Sequence, residues 1–493
     1  MSSHLGEPEP PRDVLDTTAA GGMVIRGGLL RVAGYVVGTL ASVAASALML
    51  RHLGVVDAGR LVTVMALVAI AAGVSDLGLT GIGVREYTVR HGAERESFMR
   101  NLLGMRIVYT SLAMALAVGF AVLAGYTAAM VAGTALAGAG LMLYVIQQSL
   151  AIPLSAALRL GWITLLQLLL QVGMALLVVA LVGLEADLLP FFAIQLPVMV
   201  PLVAVTVRLA HGHAPLVPAF DRKEWGAVMR KILPYSAAVV LNVLYFRIVA
   251  VFMSLLSDER ETGYFAAAFR VTDGLTLIPP LLISSAFPIL ARAARDDRKR
   301  LAYAVGRLFD AALIGGVWFA IAMVLGADVA IAIVAGDEFE PSVTVLQLLG
   351  PALIGTFLVA TWGHALLSIE RHRAILAANA ASLLSAVVLS AVLIPAEGAD
   401  GGAITLAVAE LVLALGYGIA LASERELRPR LAIVPRIGLA AAAALAPPLI
   451  LGLPSLAAAV AGSAIFFAVL AAMGAIPREI LEALRPAARD RQG

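Results

Sequence analysis

Cysteine is absent from the 493 residues of the chain, which excludes disulfide bonds, thiolate catalysis and cysteine-ligated metals. Charge is also scarce: only 14% of the residues are charged, whereas soluble domains carry roughly a quarter. The formal net charge of +2 comes without a strongly basic tail and gives no indication of nucleic-acid binding. Long polar loops are missing as well, so we expect any function to lie in the apolar segments or at their ends.

Apolar residues, by contrast, make up 61% of the chain, and the mean hydropathy is +0.95. A helix needs about 20 mostly apolar residues to cross a bilayer, and such runs recur along nearly the whole sequence. We therefore predict an all-α, polytopic membrane protein of about fourteen transmembrane helices. The predicted helices cover residues 27–50, 58–79, 102–124, 127–152, 162–182, 188–209, 232–256, 264–291, 305–325, 343–369, 375–394, 402–421, 433–453 and 455–475.

Arginine and lysine gather in every second connection between the predicted helices, and acidic residues gather in the others. Because basic loops stay on the cytoplasmic side of a membrane, we predict that both termini are cytoplasmic. The outer connections are short and acidic, and only Arg51, Arg60 and Arg260 lie on that side. We predict a disordered N-terminal segment at 1–22 and a cytoplasmic tail at 477–493.

The sequence between the termini contains a weak internal repeat. Residues 262–271 resemble residues 58–67, with Gly59 and Gly263 in register. A parallel repeat of six helices each would place a binding site between two halves, near mid-depth of the membrane. A resemblance over ten aligned positions in apolar sequence can also arise by chance. The predicted division is an N-terminal lobe at 23–215, a C-terminal lobe at 216–424 and an extra helix pair at 425–476.

Three ionisable side chains lie deep in the predicted seventh and eighth helices. Such a group costs roughly 2.5–3.5 kcal/mol at the centre of a span, so it needs a partner or a wet cavity. Arg247 and Arg270 are predicted at similar depth, and Asp273 follows Arg270 by one helical turn. One interpretation is a structural pair between Arg247 and Asp273. The other is a surplus of positive charge that binds phosphate, whose oxygens match the guanidinium fork.

Two further charged residues lie near the predicted cytoplasmic ends of the first two helices. Arg31 and Asp76 are each about one turn inside their span. They can pair across the inner mouth of a cavity, as part of an entry site. The alternative for Arg31 is that it extends to the lipid headgroups, as arginines near the ends of spans commonly do.

Polar residues without a basic charge occur inside other predicted helices. Glu410 lies about eight residues into the twelfth helix and is a candidate for coupling transport to an ion or proton; the alternative is a pair with a neighbouring polar group. Gln167 and Gln171 lie one turn apart on one face of the fifth helix. Amides of this kind suit the hydroxyl groups of sugars, but they also bind helices to one another in membranes.

Four stretches of the chain together resemble a known family. They are 48–86, with an R-x-L-G turn at Arg51 and D-x-G-L at Asp76; 233–254; 261–292, with a G-Y-x-A-A turn at Gly263; and 336–349 together with 393–410. In this order they resemble the polysaccharide-biosynthesis flippases of the MOP superfamily, the group that also contains the MATE exporters.

The resemblance implies two six-helix lobes that rock about a central polar cavity and open it alternately to the cytoplasm and the outside. It implies that Arg31, Arg247 and Arg270 hold the diphosphate of a polyprenyl carrier that bears an oligosaccharide, in a cell inner membrane. The extra helix pair corresponds to one that forms a groove for the lipid tail in the lipid II branch. No cofactor is expected, and a polysaccharide polymerase or export machinery is a candidate partner. One departure is Arg247, where relatives carry an acidic residue.

Three other interpretations are open. A MATE-like, ion-coupled exporter of small molecules is the nearest, although the first six predicted helices offer only Asp76 as a membrane carboxylate. A membrane glycosyltransferase or polymerase would need a substantial outer loop, and the predicted outer loops are very short. A purely structural scaffold would leave the buried arginines unexplained.

Overall fold

The computed structural model describes residues 18–157, 159–210, 212, 217–276, 278–284, 298–428 and 431–475. Side chains are described within these ranges from Gly38 onward, except at 160, 234, 235, 281, 282, 284 and 449. The predicted tail at 477–493 therefore lies outside the described residues, as does 1–17 of the predicted N-terminal segment. The first helix begins at Thr18, within the segment predicted to be disordered.

The described residues are almost entirely helical and contain no strand. The helices are α1 Thr18–Asp76, α2 Leu79–Val89, α3 Gly92–Leu123, α4 Ala128–Leu150, α5 Ile152–Ala156, α6 Leu160–Gly183, α7 Leu188–Ala193, α8 Gln195–Leu209, α9 Arg222–Leu256, α10 Glu259–Leu275, α11 Ile278–Ser284, α12 Arg298–Val334, α13 Ser342–Ser368, α14 His372–Ala422, α15 Val434–Ile450 and α16 Ser455–Ala472. The predicted all-α class is confirmed.

Eleven segments of the described chain are long and apolar enough to cross a membrane. Two of them, at Gly38–Val89 and within α14, have 52 and 51 residues, more than twice the length that one crossing needs. The surface is apolar as well, because large side chains such as Leu112, Leu116 and Leu123 of α3 are exposed. These features show a multi-pass membrane protein, whereas the exact number of fourteen helices stays a prediction.

The first arm of α1, before Gly54, runs beside α6. His52 Nε2 lies 2.8 Å from the carbonyl oxygen of Ala186, just after the end of α6. Nearer the start of α1, a Cβ on Gly38 would lie 1.8 Å from Oε1 of Gln171. The two contacts are about equally spaced along both helices, so this arm and α6 lead up to the same end of the molecule.

The second arm of α1 leads away from that end. Arg60 contacts Glu259, at the start of α10, and a Cβ on Gly73 would lie 2.9 Å from Cγ1 of Val243, far back in α9. The chain therefore reverses between the arms. It does so at Gly54, whose φ of 70° and ψ of −179° lie in a region that glycine adopts readily.

α14 reverses in the same way at Gly398, with a φ of 54° and a ψ of −127°. Asn379 Nδ2 donates to the Tyr417 hydroxyl at 2.9 Å, and Ser382 Oγ donates to the carbonyl of Ala409 at 2.8 Å. These bonds join the two arms in antiparallel register. A glycine reversal therefore replaces a loop between the predicted eleventh and twelfth helices.

The connections predicted to face outward lie on one face of the molecule, which we call the outer end. Contacts link them in pairs: His52 with Ala186, Arg51 with Ile333, Arg60 with Glu259, Tyr126 with Ser254, and Glu261 with Ala399. The opposite face is called the inner end. Which side of the membrane each end faces stays a prediction from the charge pattern.

A cluster of ion pairs at the inner end fixes the start of α9 against α2. Arg90 donates to Glu224 at 2.8 Å and to Glu86 at 3.0 Å, and Lys231 lies 3.4 Å from Glu86. Burial lowers the pKa of Arg90, but the hydrogen bonds to Glu86 and Glu224 outweigh burial and leave its pKa raised. The guanidinium therefore remains charged and holds the two helices together.

The last two helices form a hairpin that packs on α12. Trp318 Nε1 donates to Ser463 Oγ at 3.0 Å, and Phe466 is completely buried. A Cβ on Gly462 would lie 2.4 Å from Cδ1 of Leu325, so the backbone of α16 lies close to α12. Small residues of this kind let helices pack closely in lipid.

Candidate functional site

Arg270 is the accessible cation deep in the described helices. It lies on α10, eleven residues beyond Glu259, and its neighbours Ala266–Phe269 and Thr272 are buried. Its own side chain is exposed, and Nε donates to Ser46 Oγ of α1 at 2.7 Å. The side chain of Arg270 is therefore exposed between buried neighbours, at the seam between α1 and α10.

Arg247 is paired, as one of the two interpretations of the sequence predicted. Its Nη2 lies 3.1 and 3.2 Å from the carboxylate oxygens of Asp273, and its guanidinium lies 5.4 Å from the ring centroids of Phe246 and Phe269. Both partners are half-buried, with 26% and 21% of their side chains exposed. The pair neutralises Arg247 but leaves it within reach of a ligand.

The charges of this region therefore sum to one positive charge. Among the residues that the structure describes, no carboxylate lies within 4 Å of a nitrogen of Arg270, because the single carboxylate of Asp273 is bound to Arg247. A neutral hydroxyl is its hydrogen-bond partner instead. An exposed guanidinium that none of the described carboxylates compensates is suited to bind an anion, above all a phosphate.

Arg31 belongs to α1, but its side chain lies outside the described residues. Its predicted pairing with Asp76 thus stays a prediction. Asp76 has another cationic partner that the sequence reasoning missed: Nη2 of Arg106, on α3, donates to its carboxylate. Arg106 was detectable in the sequence as a charge inside the predicted span 102–124.

Arg106 is one of the largest fully buried side chains of the described protein. Its guanidinium also donates to Thr80, to Ser149 Oγ at 3.2 Å and to the carbonyl of Val145 at 3.5 Å, whereas Nε has no partner. In contrast, 38% of the Asp76 side chain is exposed. The pair thus joins a buried cation to a carboxylate that water reaches.

The D-x-G-L motif of the sequence forms the corner between α1 and α2. Asp76 accepts hydrogen bonds from the Gly78 amide at 3.2 Å and from Thr80 Oγ1 at 2.7 Å. Leu77 and Gly78 have φ values of 48° and 77°, which only glycine adopts without strain. Ser236 of α9 donates to the carbonyl of Leu77. Asp76 therefore stabilises a strained corner, in addition to any part in binding.

Gln167 and Gln171 lie on α6, away from Arg270. Gln167 is exposed, and the amide of Gln171 lies against the backbone of α1 at Gly38. Gly38 is eight residues from Ser46, the partner of Arg270, or about 12 Å along the helix. Both amides therefore lie nearer the inner end than the contact between Ser46 and Arg270, and not beside the guanidinium.

The contact between Gly38 and Gln171 can be tested by filling it. We expect Gly38→Val to reduce the free energy of unfolding by about 1–3 kcal/mol, because the added methyl groups overlap the amide. Gln171→Ala should restore most of this loss in the double variant. Thermal unfolding in detergent measures both; no recovery in the double variant would show that Gln171 does not occupy this position.

Glu410 is buried in the second arm of α14 and accepts a hydrogen bond from the Tyr245 hydroxyl of α9 at 2.6 Å. A Cβ on Gly355 would lie 2.7 Å from Cγ of Glu410, so α13 packs directly on the carboxylate. The predicted alternative of a polar neighbour is therefore present. Whether Glu410 also couples transport to an ion stays a prediction.

More polar side chains lie close by on the same helices. Asn242 Nδ2 lies 3.3 Å from Oδ1 of Asn379, which in turn bonds Tyr417. These residues line a cavity of about 160 Å³ that extends to His372, at the start of α14. The sequence reasoning missed this network because single asparagines and tyrosines in apolar helices gave no pattern.

Comparisons with known proteins were made by sequence and by structure. No family model matches the sequence, and no curated protein matches it. Among solved structures, the chain is similar to the lipid II flippase MurJ in an inward closed conformation, with a TM-score of 0.73 at 12% identity. The match covers 92% of this chain and 100% of MurJ.

Two other similar structures are multidrug transporters. An inward-facing MATE family transporter of the MOP superfamily has a TM-score of 0.60 at 15% identity and covers 79% of this chain and 94% of its own. The MATE multidrug transporter DinF-BH has a TM-score of 0.60 at 14% identity, with 83% and 97% covered. The expected resemblance is therefore confirmed at the level of architecture: this chain has the fold of the MOP-superfamily transporters.

Proposed function

We propose that this chain is a membrane transporter, not an enzyme, that flips polyprenyl-diphosphate-linked oligosaccharide from the cytoplasmic to the outer leaflet. The lobes at 23–215 and 216–424 would rock to open a central cavity alternately to each side. The observation that carries the proposal is Arg270, an exposed side chain at the seam between α1 and α10 that has no carboxylate partner among the described residues.

The chemistry of this site favours a phosphorylated ligand. The guanidinium of Arg270 can form two parallel hydrogen bonds with phosphate oxygens. Arg247 lies nearby, and a nitrogen that now donates to Asp273 can donate to the ligand instead. Arg31 belongs to the same proposed site. Asp76, at the inner end, and the amides of Gln167 and Gln171 are proposed to contact the headgroup as it enters, the amides through sugar hydroxyls.

The kind of ligand is favoured by the fold comparisons. MurJ is a flippase of lipid II, and it matches 92% of this chain, compared with 79% and 83% for the two multidrug transporters. We therefore favour a lipid-linked ligand over a soluble one. Bilayer lipid, and a polysaccharide polymerase or export machinery in the same inner membrane, are the proposed partners.

The proposed cycle does not require ATP. With cytoplasmic termini, the outside of the membrane is the positive side of the membrane potential. A dianionic headgroup that moves outward gains about 2.3 kcal/mol per charge per 100 mV. This energy is sufficient to bias the direction of flipping.

The test is reconstitution in proteoliposomes with a fluorescent polyprenyl-diphosphate disaccharide. We expect protein-dependent movement between leaflets, measured by quenching with an impermeant reductant, that accelerates when an imposed potential is positive on the receiving side. A polyprenyl glycoside without phosphate is the matched control. Equal flipping of both lipids would overturn the proposed role of the cationic site.

A second candidate function is that of a MATE-like, ion-coupled exporter, and the buried carboxylate of Glu410 favours it. Glu410→Gln keeps an oxygen that accepts the Tyr245 hydrogen bond but removes the titratable group. In an exporter of this kind, Glu410→Gln loses all stimulation by an imposed proton or sodium gradient, whereas in the flippase proposed above it leaves flipping driven by potential unchanged.

The control for this experiment is Tyr245→Phe, which removes the hydrogen bond and leaves the carboxyl group. Uptake of a cationic dye that is driven by protons moving in the opposite direction, and that Glu410→Gln abolishes, would favour the exporter over the flippase. If Glu410→Gln responds to the proton gradient and to the sodium gradient as the wild type does, this residue has no coupling role.

A further inference from the structure

Two of the three arginines that depart from the charge bias of the outer end bind residues far away in the chain. Basic residues on the outer side oppose correct insertion, so their presence calls for a specific role. Arg60 and Arg51 both belong to α1, and both contact elements of the second half of the chain.

Arg60 binds the first residue of α10 with one edge of its guanidinium. Nε and Nη2 donate to Oε1 of Glu259 at 2.9 and 2.8 Å, and Nη2 also lies 2.9 Å from Oε2. Nη1 donates to Asp57, one turn earlier on α1, at 3.0 Å. Asp57 therefore orients the guanidinium, and Glu259 receives it across the seam.

The backbones of α1 and α10 touch directly below this ion pair. A Cβ on Gly59 would lie 2.8 Å from the Gly263 nitrogen, and a Cβ on Gly263 would lie 2.0 Å from the Val55 carbonyl oxygen. Only glycine fits at either position. These are the two glycines that the internal repeat of the sequence placed in register.

Two more polar contacts cross at the same end. The Tyr126 hydroxyl lies 2.6 Å from Ser254 Oγ, between the α3–α4 turn and α9. Arg51 donates to the carbonyls of Ala332 and Ile333, at 2.5 and 2.9 Å. These carbonyls are the unpaired end of α12, where a helix attracts a cation.

We propose that these contacts form an outer latch, consisting of Arg60–Glu259, Gly59–Gly263, Tyr126–Ser254 and the contacts of Arg51 with α12. The outer latch closes the cavity at the outer end and must open once in every transport cycle. Its chemistry suits repeated opening, because exposed ion pairs and hydroxyl bonds exchange readily with water. The inference rests on the proposed alternating access, but its test needs no transported ligand.

The absence of cysteine from the chain makes a clean test available. Thr63 lies one turn below Gly59, lines the cavity of about 220 Å³ between Arg60 and Ser254, and is buried. Thr63→Cys provides a single thiol behind the outer latch. Its reaction rate with a hydrophilic maleimide, measured in lipid nanodiscs that expose both faces, reports how often the latch is open.

We expect Arg60→Gln in the Thr63→Cys background to raise the labelling rate by about fivefold, as loss of one exposed ion pair shifts a population by such a factor. Glu259→Gln should have the same effect. Arg60→Glu with Glu259→Arg should restore the slow rate when Asp57→Asn is added, because that change removes the repulsion between two carboxylates one turn apart. Leu184→Cys, exposed at the same end, should react at an unchanged rate in every background.

An unchanged labelling rate of Thr63→Cys in both Arg60→Gln and Glu259→Gln would overturn the outer latch. A parallel rise at Leu184→Cys would show general loosening and would overturn it as well. Because the experiment contains no lipid-linked saccharide, failure of the flipping assay would leave a positive result here intact.

Discussion

Replacing Arg270 with alanine is expected to reduce flipping of the diphosphate-linked saccharide by about 10- to 100-fold. A hydrogen bond to a charged group contributes about 1.5–3 kcal/mol, and each 1.4 kcal/mol changes an equilibrium by about tenfold. Arg270 is exposed and already held by a neutral serine, so the variant removes a ligand contact without leaving a carboxylate unpaired. Flipping in proteoliposomes, normalised to protein amount, is the measurement.

The conservative variant separates charge from geometry. Arg270→Lys keeps the positive charge but loses the planar fork that matches phosphate, so we expect partial activity. Arg425→Ala removes an arginine that is exposed outside the helices and should have no effect. Normal flipping in Arg270→Ala, with normal protein levels, would contradict the cationic-site proposal.

The paired arginine should behave differently. Arg247→Ala leaves Asp273 without its partner beside the proposed phosphate site, and we expect flipping to fall because a carboxylate repels the ligand. Removing both in Arg247→Ala with Asp273→Ala should recover part of the activity if the pair acts structurally. A double variant as inactive as Arg247→Ala would indicate direct contact between Arg247 and the ligand.

The largest effect on stability is expected from Asp76→Ala, at about 3–5 kcal/mol, because it leaves the guanidinium of Arg106 buried without a counter-charge. The reverse change, Arg106→Met, leaves a carboxylate that water already reaches, and an apolar side chain of similar length fills the space. We therefore expect Arg106→Met to be much less destabilising. Unfolding in detergent measures this asymmetry.

The double variant completes this test. Asp76→Ala with Arg106→Met should be more stable than Asp76→Ala alone, because no unpaired charge remains buried. Equal destabilisation by the two single variants would contradict the asymmetry. Flipping by the stable double variant then tests the proposed entry role of Asp76 separately from its structural role.

Composition and charge pattern predicted an all-α membrane protein, because a chain that crosses lipid has few alternatives to the helix. The helix boundaries at the two glycine reversals were also predictable to within a few residues. What the sequence did not indicate was that the chain reverses at single glycines, Gly54 and Gly398, whose backbone is not helical. A local rule identifies glycine as permissive, but only the packing of the arms on α6 and α9 requires a reversal there.

The candidate site was predictable in part. The pairing of Arg247 with Asp273 followed from helical depth and spacing and was one of the two stated alternatives. The other alternative, a surplus of positive charge that binds phosphate, stays a prediction. The partner of Asp76 was not predicted, because Arg106 lies 30 residues away on another helix. Contacts between helices depend on rotation about each helix axis, which apolar runs such as those of α3 and α6 do not define.

The residues of the outer latch were visible in the sequence, but their contact was not. Arg60 was visible in the sequence as a departure from the charge bias, and Gly59 with Gly263 as a weak repeat. Their contact could not be derived, since two aligned positions of a repeat meet only if both face the junction between its copies. The structure gives this departure and this repeat a common physical explanation.

The connections at the outer end are unusually short. Four residues join α3 to α4, four join α6 to α7, two join α9 to α10, seven with a 3₁₀ turn join α12 to α13, and the reversals at Gly54 and Gly398 each turn on one glycine with a non-helical backbone. A protease needs an extended segment of several residues, and an antibody needs a protruding epitope, so neither finds a target in these connections. Digestion of intact cells would therefore leave these outer connections uncut whichever way the chain is inserted, so their resistance to a protease does not report sidedness, whereas introduced thiols or terminal tags do.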